Sequence, residues 1–248
     1  MRMGTIETAV RTLLVIALLA GACHAGIVVD GLVHERMAGF GEVYTGTITI
    51  RNAEAETMAA RIYQKDYMFY SNGSNVYGEP GVEARSNAPW VTLGANYVEV
   101  PGQGSVDVEY TVNVPADDSL QGSYWSLLMI EELPGGVADS AEAYPLPQRS
   151  SVTQVLRYGV QMVTHIGGTG KRSVTFTDRA LVQTEDGTRT LMIDVENTGE
   201  RSLRPKLWVE LHDTSGDRLG RFESAKKRLY PGTSVRYAID LTAAPSGS

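Results

Sequence analysis

The sequence predicts an all-β protein of two related β-sandwiches in tandem, the second short of its last strands. Three observations carry this. Strict two-residue alternation recurs along the chain, as in Ser105 to Val114, and marks half-buried antiparallel strands. Turn signals such as Pro101-Gly102 and Asn197-Thr198-Gly199 divide these stretches. The pattern also repeats. Ile48-x-Ile50-x-Asn52 matches Ile193-x-Val195-x-Asn197, Met58 and Ile62 match Leu203 and Leu207, and Val106 to Tyr110 matches Val235 to Ile239.

Residues 1–25 read as a secretory signal, with Arg2 and Arg11 flanking a weakly cationic start, Leu13 to Ala20 as a short apolar run, and small residues up to Ala25. The run is too short to span a bilayer. Cleavage after Ala25 removes Cys23, the one cysteine, so no disulfide forms within the chain. The alternative is lipidation at Cys23, since Ala20-Gly21-Ala22-Cys23 resembles a lipobox with Ala20 in place of the usual Leu.

The first sandwich is assigned to 26–167. Ile27 to Val33 is its first short strand. Glu42 to Arg51 follows, with Tyr44, Gly46, Ile48 and Ile50 on one face and Thr45, Thr47 and Thr49 on the other. Met58, Ala60 and Ile62 mark a third strand. Tyr67 to Ala88 is looser and turn-rich, punctuated by Asn72-Gly73-Ser74 and Glu79-Pro80-Gly81. Trp90 to Leu93 and Tyr97 to Val100 are short strands. Val106, Val108, Tyr110, Val112 and Val114 face a core. Tyr124 to Ile130 lacks alternation, as a central strand covered on both sides does. The Leu133 to Ser150 loop is long and rich in Pro, Gly and Ala, which suits a mobile or binding segment. Val152 to Ile166 closes the domain.

Gly167-Gly168-Thr169-Gly170 reads as a flexible hinge. A phosphate-binding loop is excluded because His165 stands where a glycine is needed and Arg172 where a Ser or Thr is needed. The second sandwich, 168–248, has Leu191, Ile193 and Val195 on one strand and Leu207, Val209 and Leu211 on another. Pro231-Gly232 matches Pro101-Gly102, and Ser246-Gly247-Ser248 matches Gln121-Gly122-Ser123. The apolar strand expected next has no counterpart. Each large apolar side chain of such a strand contributes about 1.5–3 kcal/mol when buried. Two explanations stay open: a shortened chain, or a partner that supplies the strand by β-augmentation.

The formal charge of −7 becomes −8 once Arg2, Arg11 and Glu7 leave with the signal. An acidic chain argues against nucleic acid and against charge-driven binding to anionic membranes. No later segment reaches transmembrane length. His34, His165 and His212 lie at no metal-ligand spacing, Ala116 to Ser119 lacks the spacing of a calcium loop, and Glu131-Glu132 point to opposite faces of a strand. No catalytic constellation, metal site or cofactor is expected. Lys226-Lys227-Arg228 reads as a charged edge protecting a strand.

Ile48-Thr49-Ile50-Arg51-Asn52, the Pro101-Gly102 strand through Val114, Gly122-Ser123-Tyr124 before an apolar strand, the long loop, and a closing strand with alternating Leu156, Tyr158, Val160 and Met162 together resemble the periplasmic pilus-assembly chaperones. The resemblance implies tandem immunoglobulin-like sandwiches and a closing strand lent to an incomplete secreted subunit. Leu156, Tyr158, Val160 and Met162 are then partner-binding. Arg36 and Arg157 are the candidates for the family's basic pair in the inter-domain cleft. The expected function is a non-enzymatic, periplasmic or envelope chaperone-like protein that binds partners through sheet edges in surface-fibre assembly. The alternative is a structural or adhesive envelope module that binds through loops such as Leu133 to Pro147.

Overall fold

The computed structural model describes residues 26–133 and 155–244. The signal segment with Cys23, nearly all of the Leu133–Ser150 loop, Val152 and the Ser246-Gly247-Ser248 match lie outside the described residues.

The first unit contains β1 (Ile27–Val29), β2 (Val33–Ala38), β3 (Val43–Asn52), β4 (Met58–Phe69) and β5 (Asn75–Gly78). It continues with β6 (Val91–Leu93), β7 (Tyr97–Val100), β8 (Ser105–Asn113), β9 (Gly122–Leu133) and β10 (Arg157–Ile166). One sheet runs β1-β3-β8-β6; the other runs β2-β10-β9-β4-β5, with β7 also on β4. This is the ABED and GFC layering of an immunoglobulin-like sandwich, its first strand shared between layers.

Alternation on β3 and β8 places Ile48, Ile50, Val108 and Val112 in the core, packed with Ile62, Leu128 and Ile130 of the second sheet. Gly46 allows a close approach. It stands opposite Tyr110, and a Cβ there would overlap the Tyr110 ring and hydroxyl. The Tyr110 side chain lies across the bare glycine and ends 2.8 Å from His34 Nδ1.

Two stretches depart from the sequence expectation. Ile27 to Val33 is not one strand. β1 pairs antiparallel with β3, the chain turns at Gly31 (φ 67°), and β2 then pairs parallel with β10 in the other layer. The region from Tyr67 is also more ordered than its turn residues suggest. β4 runs on to Phe69 and pairs with β5 around Asn72-Gly73-Ser74. The buried Asp66 carboxylate then accepts the Gly81 and Glu83 amides at 3.0 and 2.7 Å, pinning the loop beyond.

The second unit contains β11 (Val174–Gln183), β12 (Arg189–Asn197), β13 (Trp208–His212), β14 (Arg218–Glu223) and β15 (Ser234–Asp240). Its sheets are β11-β12-β15 and β13-β14. Ile239 and Leu241 pack against Leu207, Val209, Leu211 and Phe222, which gives this unit a core of its own. The Pro-Gly match is off by one. The Thr233 amide bonds Tyr230 O as the Gly104 amide bonds Pro101 O, both at 3.0 Å. Tyr230 therefore stands where Pro101 stands. Gly232 (φ 73°) falls opposite Gln103 (φ 57°), which holds left-handed backbone without being glycine.

Candidate functional site

β10 is paired along its whole length with β9, from Arg157 opposite Glu131 to Ile166 opposite Gly122. On its other side β2 covers only Gln161 to Ile166. The Gln161 amide bonds Leu32 O at 2.9 Å as the last rung. Backbone groups alternate sides along a strand, so Gly159 and Arg157, in phase with Gln161, turn their N–H and C=O outward. Among the described residues nothing pairs with them. Leu156 O accepts the Glu132 amide at 3.2 Å, which carries the inner ladder one step ahead of the strand. The first half of β10 is thus an open strand edge, a template for another chain.

The residues expected at this site fall into different roles. Leu156 is exposed beside Val155, and Tyr158 is half-buried against the core. Val160 and Met162 are buried within the first unit's own core, at 0% and 2% exposure, so the expectation that their side chains reach a partner is corrected. Their pleat faces inward across the sandwich. Arg36 and Arg157 do not form a pair. Arg36 meets Glu42 at 3.4 Å and lies over the Tyr44 ring, opposite Thr164 on the ladder. Arg157 opens the strand and donates to Glu131 at 2.9 Å. Glu131 also accepts from Arg61 and the Tyr63 hydroxyl. Burial opposes its charge, but these donors outweigh it and hold its carboxyl below the usual glutamate range.

Charge gathers instead where the second unit meets the outer face of β9 and β10. Tyr230 stacks on Trp125, with centroids 4.7 Å apart and planes 7° apart, and donates to Gln161 Oε1 at 2.5 Å. Burial pushes its phenol well above the usual range. Close by, Glu35 Oε1 lies 2.7 Å from His165 Nε2, while Oε2 accepts from Arg204 at 2.9 Å and Arg228 at 2.8 Å. His165 Nδ1 is 2.7 Å from Ser123 Oγ, which accepts the Ser202 amide at 2.8 Å. Burial works against the charge on Glu35, yet the His165 hydrogen bond and the Arg228 charge hold its carboxyl below the usual range.

Two sequence expectations change here. Arg228 points at Glu35 and is not an edge-protecting charge; the Lys226-Lys227-Arg228 run hid that role. Gly167 to Gly170 is bound rather than free. Arg201 donates to Gly167 O at 3.2 Å and Thr169 O at 2.8 Å, and Thr169 Oγ1 accepts the Gly122 amide at 3.1 Å.

The part of the outer face left uncovered by the second unit is a trough of about 480 Å³. Leu127 and Gly159 form its floor and Tyr63, Tyr67 and Tyr77 its walls, with Tyr67 and Tyr77 stacked at 5.4 Å. Among the described residues, no group of three or more His, Cys, Asp or Glu is placed to hold a metal ion. No described helix is long and apolar enough to cross a membrane.

No family model matches the chain. No curated protein matches it in sequence. Solved structures do match. One, described as the class 5 fimbriae chaperone CfaA, is 11% identical with a TM-score of 0.48, covering 90% of this chain and 89% of that one. A chaperone–tip adhesin complex of CFA/I fimbriae biogenesis is 10% identical with a TM-score of 0.49, covering 86% and 85%. The CsuC–CsuE pre-assembly complex of Csu pili from Acinetobacter baumannii is 13% identical with a TM-score of 0.45, covering 90% of each chain. All three TM-scores lie below 0.5.

Proposed function

We propose that this is a non-enzymatic, chaperone-like protein of the cell envelope that receives a strand of an exported partner on the open edge of β10, in the assembly of surface fibres. The observation that carries this reading is the partial cover of β10. β2 stops at the Gln161 rung, and Arg157 and Gly159 turn unpaired backbone groups outward beside exposed Val155 and Leu156. Proteins ordinarily blunt or cover such edges, and main-chain pairing there supplies affinity without a preformed pocket. The sequence resemblance to pilus-assembly chaperones points to an incomplete secreted subunit as the partner, and the signal-like leader agrees with export. In this reading Leu156 and Tyr158 flank the added strand, while Val160 and Met162 hold β10 to its own core.

Arg157→Pro tests it. Proline removes an outward N–H and no bond of the β9 ladder, a position where edge strands tolerate it. Hydrogen–deuterium exchange of the full chain with an exported subunit lacking one strand is expected to protect the Arg157 and Gly159 amides. Arg157→Pro is expected to abolish that complex, and Arg157→Ala to retain it. Equal binding by both variants would rule out strand addition at this edge.

A further inference from the structure

Gly159 belongs both to the open edge and to the trough. Its outward backbone offers the rung on which an added strand would pair, and its missing side chain leaves the trough floor bare. A Cβ there would meet Leu127 Cδ1 at 3.4 Å and Met129 Sδ at 3.6 Å, which is tight to ordinary contact with no overlap. Packing alone therefore leaves room for a side chain at this position. Glycine inside a strand weakens it and often marks a place where something else approaches closely.

The molecule already shows what such an approach looks like. Opposite Gly46, on the neighbouring strand, Tyr110 lays its ring across the glycine and ends on a polar partner. An aromatic side chain facing a strand glycine is a recurrent way of restoring the contact that glycine lacks.

We infer that the partner strand carries a large aromatic residue opposite Gly159, seated across the glycine against Met129, its neighbour on β9. The inference rests on the strand-addition reading and names the side chain that reading requires. Side chains of paired strands share a face when they stand opposite, so the residue opposite Gly159 projects onto the outer face, where the trough lies. Met129, half-buried and directly opposite Gly159, supplies the apolar contact. Tyr63 stands next in the same row, opposite Met129, and closes the far end of the seat.

The test uses two labelled extended peptides of alternating Val and Thr, one with a central Phe on the outer face and one with Ala in its place. Binding to the full chain is followed by fluorescence anisotropy. The Phe peptide is expected to bind about tenfold or more tighter. Gly159→Leu, which fills the trough floor, is expected to bring the Phe peptide down to the Ala level. Met129→Ala, outside the core cluster, serves as a second variant and is expected to narrow the difference. If the two peptides bind alike while Arg157→Pro abolishes both, strand addition stands and the aromatic seat is overturned. If neither peptide binds, or both bind the Arg157→Pro variant undiminished, both ideas fall together.

Discussion

Asn52 and Asn197 are buried at the same corner of the two units and make the same bonds. Asn52 Nδ2 donates to Glu56 O at 2.7 Å and Val100 O at 3.0 Å, and its Oδ1 accepts the Glu54 amide at 2.9 Å. Asn197 Nδ2 donates to Arg201 O at 2.7 Å and Leu229 O at 2.9 Å, and its Oδ1 accepts the Gly199 amide at 3.0 Å. Each asparagine closes the turn after its own strand and ties it to the segment before the next Pro-Gly turn.

Replacing either one with alanine leaves buried carbonyls without donors, at a cost of about 1–3 kcal/mol. Equilibrium denaturation should show the loss in Asn52→Ala and in Asn197→Ala alike. A loss in only one of them would mean that the shared geometry does not bear equal weight.

Tyr230 is fully buried where the second unit meets the first. Tyr230→Ala removes the stack on Trp125 and should cost about 3–5 kcal/mol, as large aromatic truncations do. Calorimetry should then resolve two transitions. Tyr230→Phe keeps the stack, loses the Gln161 bond and should cost about 0.5–1.5 kcal/mol. An unchanged single transition in Tyr230→Ala would show that the units are coupled elsewhere.

Acid should loosen the junction. Glu35 has its folded pKa below its ordinary value of 4.5, so the stability it contributes is complete above that value and is lost as pH falls through the folded pKa. Asp194 follows the same sign from its ordinary 3.8, held down chiefly by its hydrogen bonds from Arg236 at 2.7 and 2.8 Å. Denaturation midpoints measured from pH 7 downward should fall below about pH 4.5, and Glu35→Gln should flatten that decline. A decline of equal steepness in Glu35→Gln would remove Glu35 from the account.

Val160 of β10 and Leu156, just ahead of it, should respond oppositely to a charge. Val160→Asp buries an unpaired carboxylate in the core and should unfold the first unit, a loss beyond about 3 kcal/mol. Leu156→Asp, at an exposed position, should stay folded within about 0.5 kcal/mol. Circular dichroism melts of the two variants decide this, and a stable Val160→Asp would contradict the inward pleat of β10.

These variants also mark where the sequence stops being informative. Alternation shows that Tyr158, Val160 and Met162 share a face, and it shows β3 and β8 almost residue by residue. It does not say which face meets the core, because that depends on which strands lie alongside. The apolar run of β9 does predict cover on both sides, and Trp125 under Tyr230 supplies part of the second cover. The parallel pairing of β2 with β10 leaves no local mark beyond Gly31. The Glu35 cluster draws on Glu35, His165, Arg204 and Arg228, four separate segments whose meeting is a property of docking and not of spacing. The repeat itself was legible through Ile50 and Val195, but a slip of one residue at the Pro-Gly turn was not, since Gln103 holds a backbone shape normally signalled by glycine.

The crossover at Gly31 has a consequence for the strand beside it. β1 and β2 are one run of chain divided between two layers, so each residue given to the first layer is withheld from the second. A crossover placed earlier would carry β2 alongside Gly159 and seal the edge. One placed later would bare Gln161, and with it the anchor of Tyr230. The number of open rungs is therefore decided by the opening strand of the fold and not by the strand that displays them. Altering how much of this protein is available to another chain calls for a change at the Gly31 turn, beside the strand on offer and not within it.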